Sequence, residues 1–256
     1  MIIATIPVYN DAKILAQSVR AVAFHLTEFG EDGVIVIADD GSTDRTNQIA
    51  RTIVGGHADT RSSMEYVRLE KNSGRGKVLT TAWSRIQGDT YLFLDSDLST
   101  DMRDFSRLIR GIGAGYDLVT GSRYLPESRV ERPPLRRFVS IGYNLLVRTL
   151  FRDGIADHQC GFKAFSARLI KELLPSCKDG RWFWDTEMIV LAKLNGYPVK
   201  ELPVVWKEKK GMRTPIRRLM QDVYLLGKGL LSLWWRIYTN PVMIRRIFCQ
   251  HSKHTS

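Results

Sequence analysis

The sequence predicts an α/β protein built on a mostly parallel sheet with helices on both faces. Short apolar runs alternate with amphipathic stretches through the first 120 residues, as expected for strands joined by crossover helices. Acidic residues cluster directly after two of these runs, where ligands bind in such sheets. The composition, 44% hydrophobic and 25% charged, is that of a folded protein and excludes a disordered chain, a collagen-like repeat or a coiled coil.

Five strands and four helices are predicted in this first part of the chain. The strand-like runs are 2–6, 34–38, 65–69, 90–95 and 117–120. The helix-like stretches between them are 11–29, 44–54, 76–87 and 103–113. The chain of 256 residues is long enough for one large domain with a sizeable core.

Two longer amphipathic helices are predicted beyond residue 120. Pro133-Pro134 marks the start of the first, which runs to about residue 151. Apolar residues cover most of it, and a polar, cationic stripe consists of Arg137, Ser140, Asn144, Arg148 and Arg152. The second helix, 215–238, ends with Trp and Tyr beside basic residues, a pattern typical of membrane-interface helices. The two helices predict a lipid-facing platform, and packing of both on the sheet is the alternative.

The net charge of +11 is unevenly distributed. Residues 207–256 contain eleven Lys or Arg and two acids, and residues 120–152 contain seven Arg and two Glu. Basic segments of this kind indicate a surface that faces polyanions, either nucleic acid or anionic lipid head groups. The amphipathic helices favour lipid, so we expect an anionic membrane surface as partner and no nucleic acid. A solvated tail without a partner is the alternative for 240–256.

The cysteine pattern and the start of the sequence give an expectation for the cellular compartment. Cys160, Cys177 and Cys249 form no CxxC pair, so we expect neither a disulfide framework nor a cysteine-rich zinc site, and a reducing compartment fits. No basic leader with a cleavage site precedes the first strand. Charge-free stretches reach only ten residues, short of the ~18–20 that span a bilayer. We expect a cytoplasmic protein, peripheral on that face of the membrane, with a membrane-anchoring partner left open.

The motif Asp95-Ser96-Asp97 ends the apolar run 91–94. Two carboxylates one residue apart at the end of a strand can share a hard divalent cation, Mg²⁺ or Mn²⁺, which then binds a diphosphate. Because Thr100 and Asp101 can cap the next helix, the two aspartates are free for this role.

Two further loops lie at strand ends. Asp39 and Asp40 begin a run of polar residues in which Gly41 can form a turn and Ser42 or Thr43 can cap a helix. Neither structural role requires the two acids, and a carboxylate there can accept from a base N–H or a ribose hydroxyl. The segment 72–77 lacks Walker A spacing; we interpret it as a turn into a helix whose N-terminus, with Arg75, can face phosphate.

Seven strings together resemble a known family. They are PVYND, VIADDGSTD, NSGRGK, FLDSD, GSRY, DHQCGFKAF and RWFWDTEM. This combination resembles the inverting family-2 nucleotide-sugar glycosyltransferases of GT-A fold over residues 1–206, with the helix 133–152 on the acceptor side. The last three strings are most similar to enzymes that transfer a sugar to a polyprenyl or dolichyl phosphate. QCGFK in particular resembles dolichyl-phosphate glucosyltransferases, with the mannosyl enzymes close behind. The segment 207–256 is then a basic, amphipathic membrane-surface segment.

The resemblance implies a donor site for UDP-glucose or GDP-mannose. Asp95 and Asp97 match the metal-binding aspartates, and Ser99 stands where mannosyl relatives have a Gln that helps to hold the metal. The other residues assigned to the donor side are Pro7, Tyr9, Asp11, Asp39, Asp40, Arg75 and Ser96. Within this group, Pro7, Tyr9 and Asp11 match the segment that lines the nucleotide, and Asp40 contacts the base with Asp39 beside it.

The resemblance also implies an acceptor site. Arg123 and Arg137 match residues that bind the acceptor phosphate, with Ser140 assisting, and Asp185 and Glu187 match an acidic pair nearby. A lipid phosphate is already anionic, so it needs cations rather than a general base.

The residues leave two other functions open. One is a family-2 enzyme that acts on a hydroxyl of a glycan with Asp185 or Glu187 as base; the other is a non-catalytic basic binding module. The lipid-phosphate hypothesis expects one cleft to join Asp95 and Asp97 to Arg123. His158 is interpreted as a structural hydrogen-bonding group.

Overall fold

The computed structural model describes residues 1–30, 33–56, 62–208 and 216–240, with side chains from 220 onward in the last range. Within these ranges the strands are β1 Ile2–Val8, β2 Gly33–Asp39, β3 Ser63–Arg68, β4 Thr90–Leu94, β5 Leu118–Ser122, β6 Arg129–Glu131, β7 Phe162–Ser166, β8 Val199–Pro203 and β9 Val205–Lys207. The helices are α1 Leu15–Phe29, α2 Thr46–Gly55, α3 Arg75–Trp83, α4 Phe105–Gly113, α5 Pro134–Phe151, α6 Ala167–Leu173, α7 Trp184–Leu194 and α8 Ile216–Tyr238. Two parts of the predicted basic segment, 209–215 and 241–256, lie outside the described residues.

The main sheet has the order β3-β2-β1-β4-β7-β5-β8. All neighbouring strands in it pair in parallel except β7, which is antiparallel to both β4 and β5. The predicted mostly parallel α/β sheet is therefore confirmed. The short strands β6 and β9 form a second, two-stranded sheet.

The core lies on both faces of the main sheet. Every residue of β1 and β2 is buried, as expected for central strands covered by helices on each side. One cluster contains Val36, Phe93 and Phe165, and the opposite cluster contains Ile35, Ile37 and Leu92. Full burial of such a side chain stabilises the fold by about 1.5–3 kcal/mol relative to exposure. The sheet is thus a rigid support for the loops at its edge.

Helix α5 turns two residues of its polar stripe toward the protein and leaves the three arginines of the stripe exposed. Ser140 and Asn144 are buried, whereas Phe138 is 76% exposed and Leu145 is 59% exposed. Helix α5 also contacts α8, where Tyr238 Oη donates to the carbonyl oxygen of Leu150 at 2.9 Å. The buried side of the helix is mixed, because Val147 and Phe151 are buried as well, and several other apolar side chains point outward.

Helix α8 packs one side on the core and exposes apolar residues on the other. Leu230, Leu233 and Ile237 are buried, while Tyr224 is 69% and Trp235 is 66% exposed. We call the exposed apolar side chains of the two helices the outer apolar face; on α5 and α8 its largest members are Leu135, Phe138, Leu145, Met220, Tyr224, Leu231 and Trp235. None of the helices in the described ranges combines the length and hydropathy needed to cross a membrane.

Candidate active site

Acidic side chains lie where neighbouring parallel strands of the sheet end. Strands β1, β2 and β4 run in the same direction, so the loops after them meet at one edge. Asp39 is the last residue of β2, and Asp95 directly follows β4. We call Asp39, Asp40, Asp95 and Asp97 together the acidic edge. The structure thus brings these four predicted site residues to the same side of the sheet.

Asp39 binds side chains of the protein itself. It is fully buried and accepts hydrogen bonds from the Ser42 backbone N–H at 2.8 Å and from Tyr66 Oη and Arg68 Nη1, both at 2.6 Å. Burial and the hydrogen bond to Asp39 raise the pKa of Tyr66 to about 12. Asp39 is therefore an anchor that organises the loop after β2, in addition to its predicted place beside the nucleotide.

Asp40 shapes the loop that leads into α3. Its carboxylate accepts from the backbone N–H groups of Ser73 at 2.7 Å and Gly74 at 2.8 Å. Burial raises the pKa of Asp40, and these hydrogen bonds oppose the rise. Gly74 has a φ of 108°, and a side chain there would collide with the backbone of Gly180, so the turn requires glycine. The turn places Arg75 at the first position of α3, next to the acidic edge.

The loop after β1 contacts the Asp-Ser-Asp motif. Pro7 lies within β1, and Tyr9, 44% exposed, begins the loop. Asp11 accepts from the Tyr9 backbone N–H at 3.2 Å and from Ser96 Oγ at 2.7 Å. Burial raises the pKa of Asp11, partly offset by these hydrogen bonds. Ser96 therefore joins the loops after β1 and β4.

Asn10 is a site residue that the sequence analysis does not single out. Its backbone is left-handed, with φ of 58°, a conformation that Asn tolerates better than most residues. Its Oδ1 accepts from the Thr43 backbone N–H at 2.8 Å, and its own N–H donates to Ser42 Oγ at 3.0 Å. Asn10 thus ties the loop after β1 to the loop after β2. The signal for it in the sequence is an Asn that stands between an apolar strand and the following turn.

Ser99 orients Asp97. Its Oγ donates to the Asp97 carboxylate at 2.6 Å, and its backbone N–H donates to the same group at 3.0 Å. A hydroxyl that donates to a metal-binding carboxylate restricts its rotation and so supports the ligand. The structure therefore gives Ser99 a supporting contact at the position where the sequence analysis leaves its role open.

Arg75 bridges two carboxylates. Its Nη1 donates to Asp95 Oδ1 at 2.9 Å, and its Nη2 donates to Asp185 Oδ2. The guanidinium carbon lies 4.8 Å from the ring centre of Phe93 and 4.2 Å from that of Trp182. Burial raises the pKa of Asp95, and the charge of Arg75 opposes this. Arg75 is thus a cation held between two rings at the acidic edge.

Asp185 also faces a second cation. Lys163 in β7 is fully buried, and its Nζ lies 3.8 Å from Asp185 Oδ1 and donates to the carbonyl oxygen of Cys160. Among the described residues, Asp185 Oδ1 has no hydrogen-bond partner. A carboxylate between Arg75 and Lys163 is suited to orienting these cations, because its negative charge is stabilised by both.

Glu187 lies elsewhere. Its carboxylate accepts from the backbone N–H groups of Lys178 at 2.9 Å and Asp179 at 2.7 Å, and from Arg236 of α8. Side chains two positions apart on a helix point about 200° apart, so Asp185 and Glu187 lie on different sides of α7. Glu187 holds α8 and the loop before α7, and its catalytic role stays a prediction.

The acidic edge fits a hard divalent cation. Carboxylate oxygens are the ligands that Mg²⁺ and Mn²⁺ prefer. A Cβ on Gly161 would collide with the Asp95 carboxylate, so the glycine leaves the space that this carboxylate occupies. Within the described ranges, no cluster of three His, Cys, Asp or Glu side chains forms a metal site. Asp95 and Asp97 therefore suit a cation whose other ligands come from substrate or water.

Arg123 is held from the inside by Asp157. Its Nε and Nη2 donate to the two carboxylate oxygens at 2.7 and 2.8 Å, and its backbone N–H donates at 3.0 Å. Burial by itself would raise the pKa of the Asp157 carboxyl, but the charge and hydrogen bonds of Arg123 hold it below its ordinary value. The bidentate pair fixes the direction of the guanidinium.

Arg123 and Arg137 line a common cavity of about 550 Å³. Arg148 is a third cation of this cavity. Its apolar lining residues are Leu125, Pro126, Val130, Ile141 and Leu145. Asp95 and Asp97 are not among its lining residues, so the expected single cleft is not formed by the described chain. One segment nevertheless connects the two places, because Asp157 binds Arg123 and Gly161 packs against Asp95.

A mostly parallel sheet with an Asp-Ser-Asp motif at the end of a central strand is the architecture of GT-A glycosyltransferases. The chain belongs to glycosyl transferase family 2, whose model matches residues 4–174. It is 36% identical over 245 residues to glycosyltransferase AglD of Haloferax volcanii, covering 94% of this chain and 38% of that protein. The chain thus spans under half of that relative.

Two further proteins are similar to this chain. It is 30% identical over 226 residues to dolichyl-phosphate beta-glucosyltransferase ALG5A of Trichomonas vaginalis, covering 84% of this chain and 68% of that protein. The crystal structure of glucosyl-3-phosphoglycerate synthase from Mycobacterium tuberculosis with Mn²⁺, UDP-glucose and phosphoglyceric acid aligns with a TM-score of 0.66 at 18% identity. That alignment covers 91% of this chain and 79% of the synthase, and it shows a common fold.

Proposed function

We propose that this protein transfers glucose from UDP-glucose to a polyprenyl or dolichyl phosphate, inverting the sugar C1, with Mg²⁺ or Mn²⁺ bound by Asp95 and Asp97. The main support is the cavity, whose lining combines three arginines with apolar side chains. An acceptor with an anionic head and an apolar chain matches this lining. The similarity to a dolichyl-phosphate beta-glucosyltransferase supports the same acceptor and sugar.

On the donor side, the protein's task is to hold the nucleotide diphosphate in place. A divalent cation on Asp95 and Asp97 supplies the charge that stabilises a departing diphosphate. Ser99 keeps Asp97 oriented, and Arg75 adds a cation beside Asp95. We assign the carboxyl ends of β1, β2 and β4 and the loops after them to the nucleotide. The residues concerned are Pro7, Tyr9, Asp11, Asp39, Asp40 and Ser96.

On the acceptor side, the task is to bring a second anion close to the first. A lipid phosphate is ionised at neutral pH and attacks without losing a proton, so the site needs cations rather than a base. Arg123, fixed by Asp157, and Arg137 on α5 have this role in our proposal. Attack from the face opposite the leaving diphosphate inverts C1.

Asp185 argues against a hydroxyl acceptor. A general base must reach the proton of the acceptor hydroxyl, and Asp185 is fully buried. One oxygen of Asp185 is bound by Arg75, and the other lies 3.8 Å from Lys163 Nζ. This arrangement suits an orienting carboxylate, so we assign Asp185 to positioning Arg75.

The outer apolar face supports the proposal that the protein binds a membrane surface. Exposed apolar side chains of α5 lie on the helix that also lines the cavity, so a lipid chain leaving the cavity meets them. We propose that α5 and α8 rest on the cytoplasmic face of an anionic membrane; a membrane-anchoring partner is the alternative occupant.

A transfer assay tests this function. The protein receives labelled UDP-glucose or GDP-mannose with polyprenyl phosphate or an oligosaccharide, with and without Mn²⁺. We expect labelled lipid only with UDP-glucose, polyprenyl phosphate and metal together. Product from GDP-mannose would correct the sugar, and product only with oligosaccharide would overturn the acceptor.

A further inference from the structure

We propose that His158 is a positioning residue for acceptor binding: held as an imidazolium between Asp153 and Asn144, it fixes α5 so that Arg137 faces the cavity shared with Arg123. This inference rests on the proposed function, because it assigns the cavity to the acceptor phosphate. The transfer mechanism described above does not use His158.

Both ring nitrogens of His158 face oxygen atoms. The side chain is fully buried, Nε2 lies 2.8 Å from Asp153 Oδ2, and Nδ1 lies 2.8 Å from Asn144 Oδ1. A neutral imidazole has one N–H and one lone pair. With a neutral ring, one of these contacts would place a nitrogen lone pair against an oxygen lone pair, which is repulsive.

The identity of the Asn144 oxygen is fixed by two other hydrogen bonds. Its Oδ1 accepts from the His158 backbone N–H at 2.9 Å, and its Nδ2 donates to the carbonyl oxygen of Ser140 at 2.9 Å. Rotating the amide would break both bonds, so Nδ1 of His158 must donate. Asp153 Oδ1 accepts from the Ile155 backbone N–H at 3.0 Å, as a carboxylate does. Two donors on the ring and a carboxylate partner correspond to the buried imidazolium–carboxylate pair of this proposal.

This pair lies between the two parts of the cavity wall. Asp157, the preceding residue, binds Arg123, while His158 binds Asn144 of α5. Asn144 itself lines the cavity, and Arg137 lies seven residues earlier on α5, two turns away on the same side. Two consecutive residues thus hold the two arginine-bearing elements at a set distance.

The pair therefore affects acceptor binding by fixing the position of α5. Loss of one ring proton removes a hydrogen bond that seats α5, and Arg137 moves relative to Arg123. Binding of a phosphate by two arginines depends on their separation, whereas the donor side contacts neither residue. We expect the effect in the KM for polyprenyl phosphate and not in the KM for UDP-glucose.

The ring protonation is measured on the full chain labelled with ¹⁵N. At pH 7.5 the His158 ring, assigned by its loss in His158→Gln, is expected to show two N–H groups. His25 on α1 is an internal reference, because burial lowers the pKa of its imidazole and it is expected to be neutral. In Asp153→Asn, His158 is expected to show a single ring N–H. A single N–H in the wild type would overturn the proposal.

Kinetics test the positioning role. His158→Gln, which has one amide donor group in place of two ring donors, is expected to raise the KM for polyprenyl phosphate about tenfold. The KM for UDP-glucose and kcat are expected to stay within about twofold. His25→Gln is the matched control and is expected to change none of these constants. Equal increases in both KM values, or no increase in either, would overturn the positioning role.

Failure of this inference is distinguishable from failure of the proposed function. If the wild type transfers no glucose to polyprenyl phosphate, the proposed function fails. The ring spectrum of the wild type then still decides whether His158 is an imidazolium. If His158→Gln does not fold, the same wild-type spectrum and that of Asp153→Asn remain as the test.

Discussion

In the central strands β1 and β2 every side chain is buried, whereas α5 buries Ser140 and Asn144 and leaves Phe138 and Leu145 exposed. The sheet follows the usual distribution, with apolar residues inside and acidic residues at its edge. Helix α5 has a mixed distribution, because it buries Val147 and Phe151 together with these two polar residues. Its inward polar groups are bonded, since Asn144 donates to Ser140 and accepts from His158.

The difference separates what the fold needs from what the function needs. Burial in the sheet stabilises the chain by itself, because the apolar contacts are internal. The outer apolar face of α5 and α8 is mostly exposed, so it contributes little to the core, and large exposed apolar surfaces indicate interaction sites. Changes at the two places are therefore expected to affect different measurements.

The largest effect is expected at the acidic edge. Asp97→Asn removes a charge from the proposed metal pair while keeping the size of the side chain, and we expect kcat to fall about 10²–10³-fold because charge stabilisation of the leaving diphosphate is lost. Labelled transfer from UDP-glucose measures the rate, and the melting temperature reports the fold.

The matched control lies on the same strand. Asp89, at the amino end of β4, has an 83% exposed side chain and lies far along the strand from the carboxyl edge. Asp89→Asn is expected to keep full activity. Equal losses in both variants would show that the acidic edge has no special role.

A smaller effect, on the free energy of unfolding, is expected when the ion pair between Asp157 and Arg123 is broken. Asp157→Asn leaves the buried Arg123 without its charged partner, so the free energy of unfolding at pH 7 is expected to fall by about 3 kcal/mol. The folded-state pKa of Asp157 is lowered, so its contribution is present above the unfolded pKa of about 3.9 and is lost as pH falls below it. Urea unfolding of wild type and variant at pH 7 measures the difference in free energy of unfolding, and the same comparison near pH 3 measures its decrease at low pH.

The control for this change is a surface pair. Asp104 and Arg107 form an ion pair one turn apart on a helix, and Arg107 is 43% exposed. Asp104→Asn is expected to cost no more than about 0.5 kcal/mol. A difference between wild type and Asp157→Asn that stays constant down to pH 3 would argue against the ionised pair.

The smallest effect on activity and stability is expected from changes on the outer apolar face. The double change Phe138→Ser and Leu145→Ser is expected to weaken binding to phosphatidylserine-containing vesicles at least about tenfold, because two side chains no longer enter the interface. The melting temperature is expected to be unchanged, since both are exposed. Vesicle sedimentation measures binding.

Phe24 on α1, 60% exposed, is the matched control for this change. Phe24→Ser is expected to leave vesicle binding unchanged. An equal loss in both variants would mean that binding is not specific to α5.

Strands β1, β2 and β4 are predictable because their apolar runs are nearly continuous. Strand β7, which is not among the predictions, contains Lys163, and this lysine is buried beside Asp185 and a carbonyl oxygen. Strands β6 and β9 are three residues long, too short for a periodic signal. A contact supplied by a distant part of the chain cannot be inferred from local pattern.

The candidate site shows the same limit. Asp95 and Asp97 are predictable because a strand end fixes where they lie. Glu187 was assigned together with Asp185 through the family resemblance, whereas the helix directs the two side chains to different sides. The direction of the polar stripe on α5 depends on the tertiary partner His158, which no periodicity reveals.

The contact between Gly161 and Asp95 has a consequence for engineering. The carboxylate occupies the volume where any other residue would have its first side-chain atom, so position 161 accepts no enlargement without moving the aspartate. A library randomised at this codon and selected for activity should return a single amino acid. Attempts to widen sugar specificity are better directed at neighbouring loops.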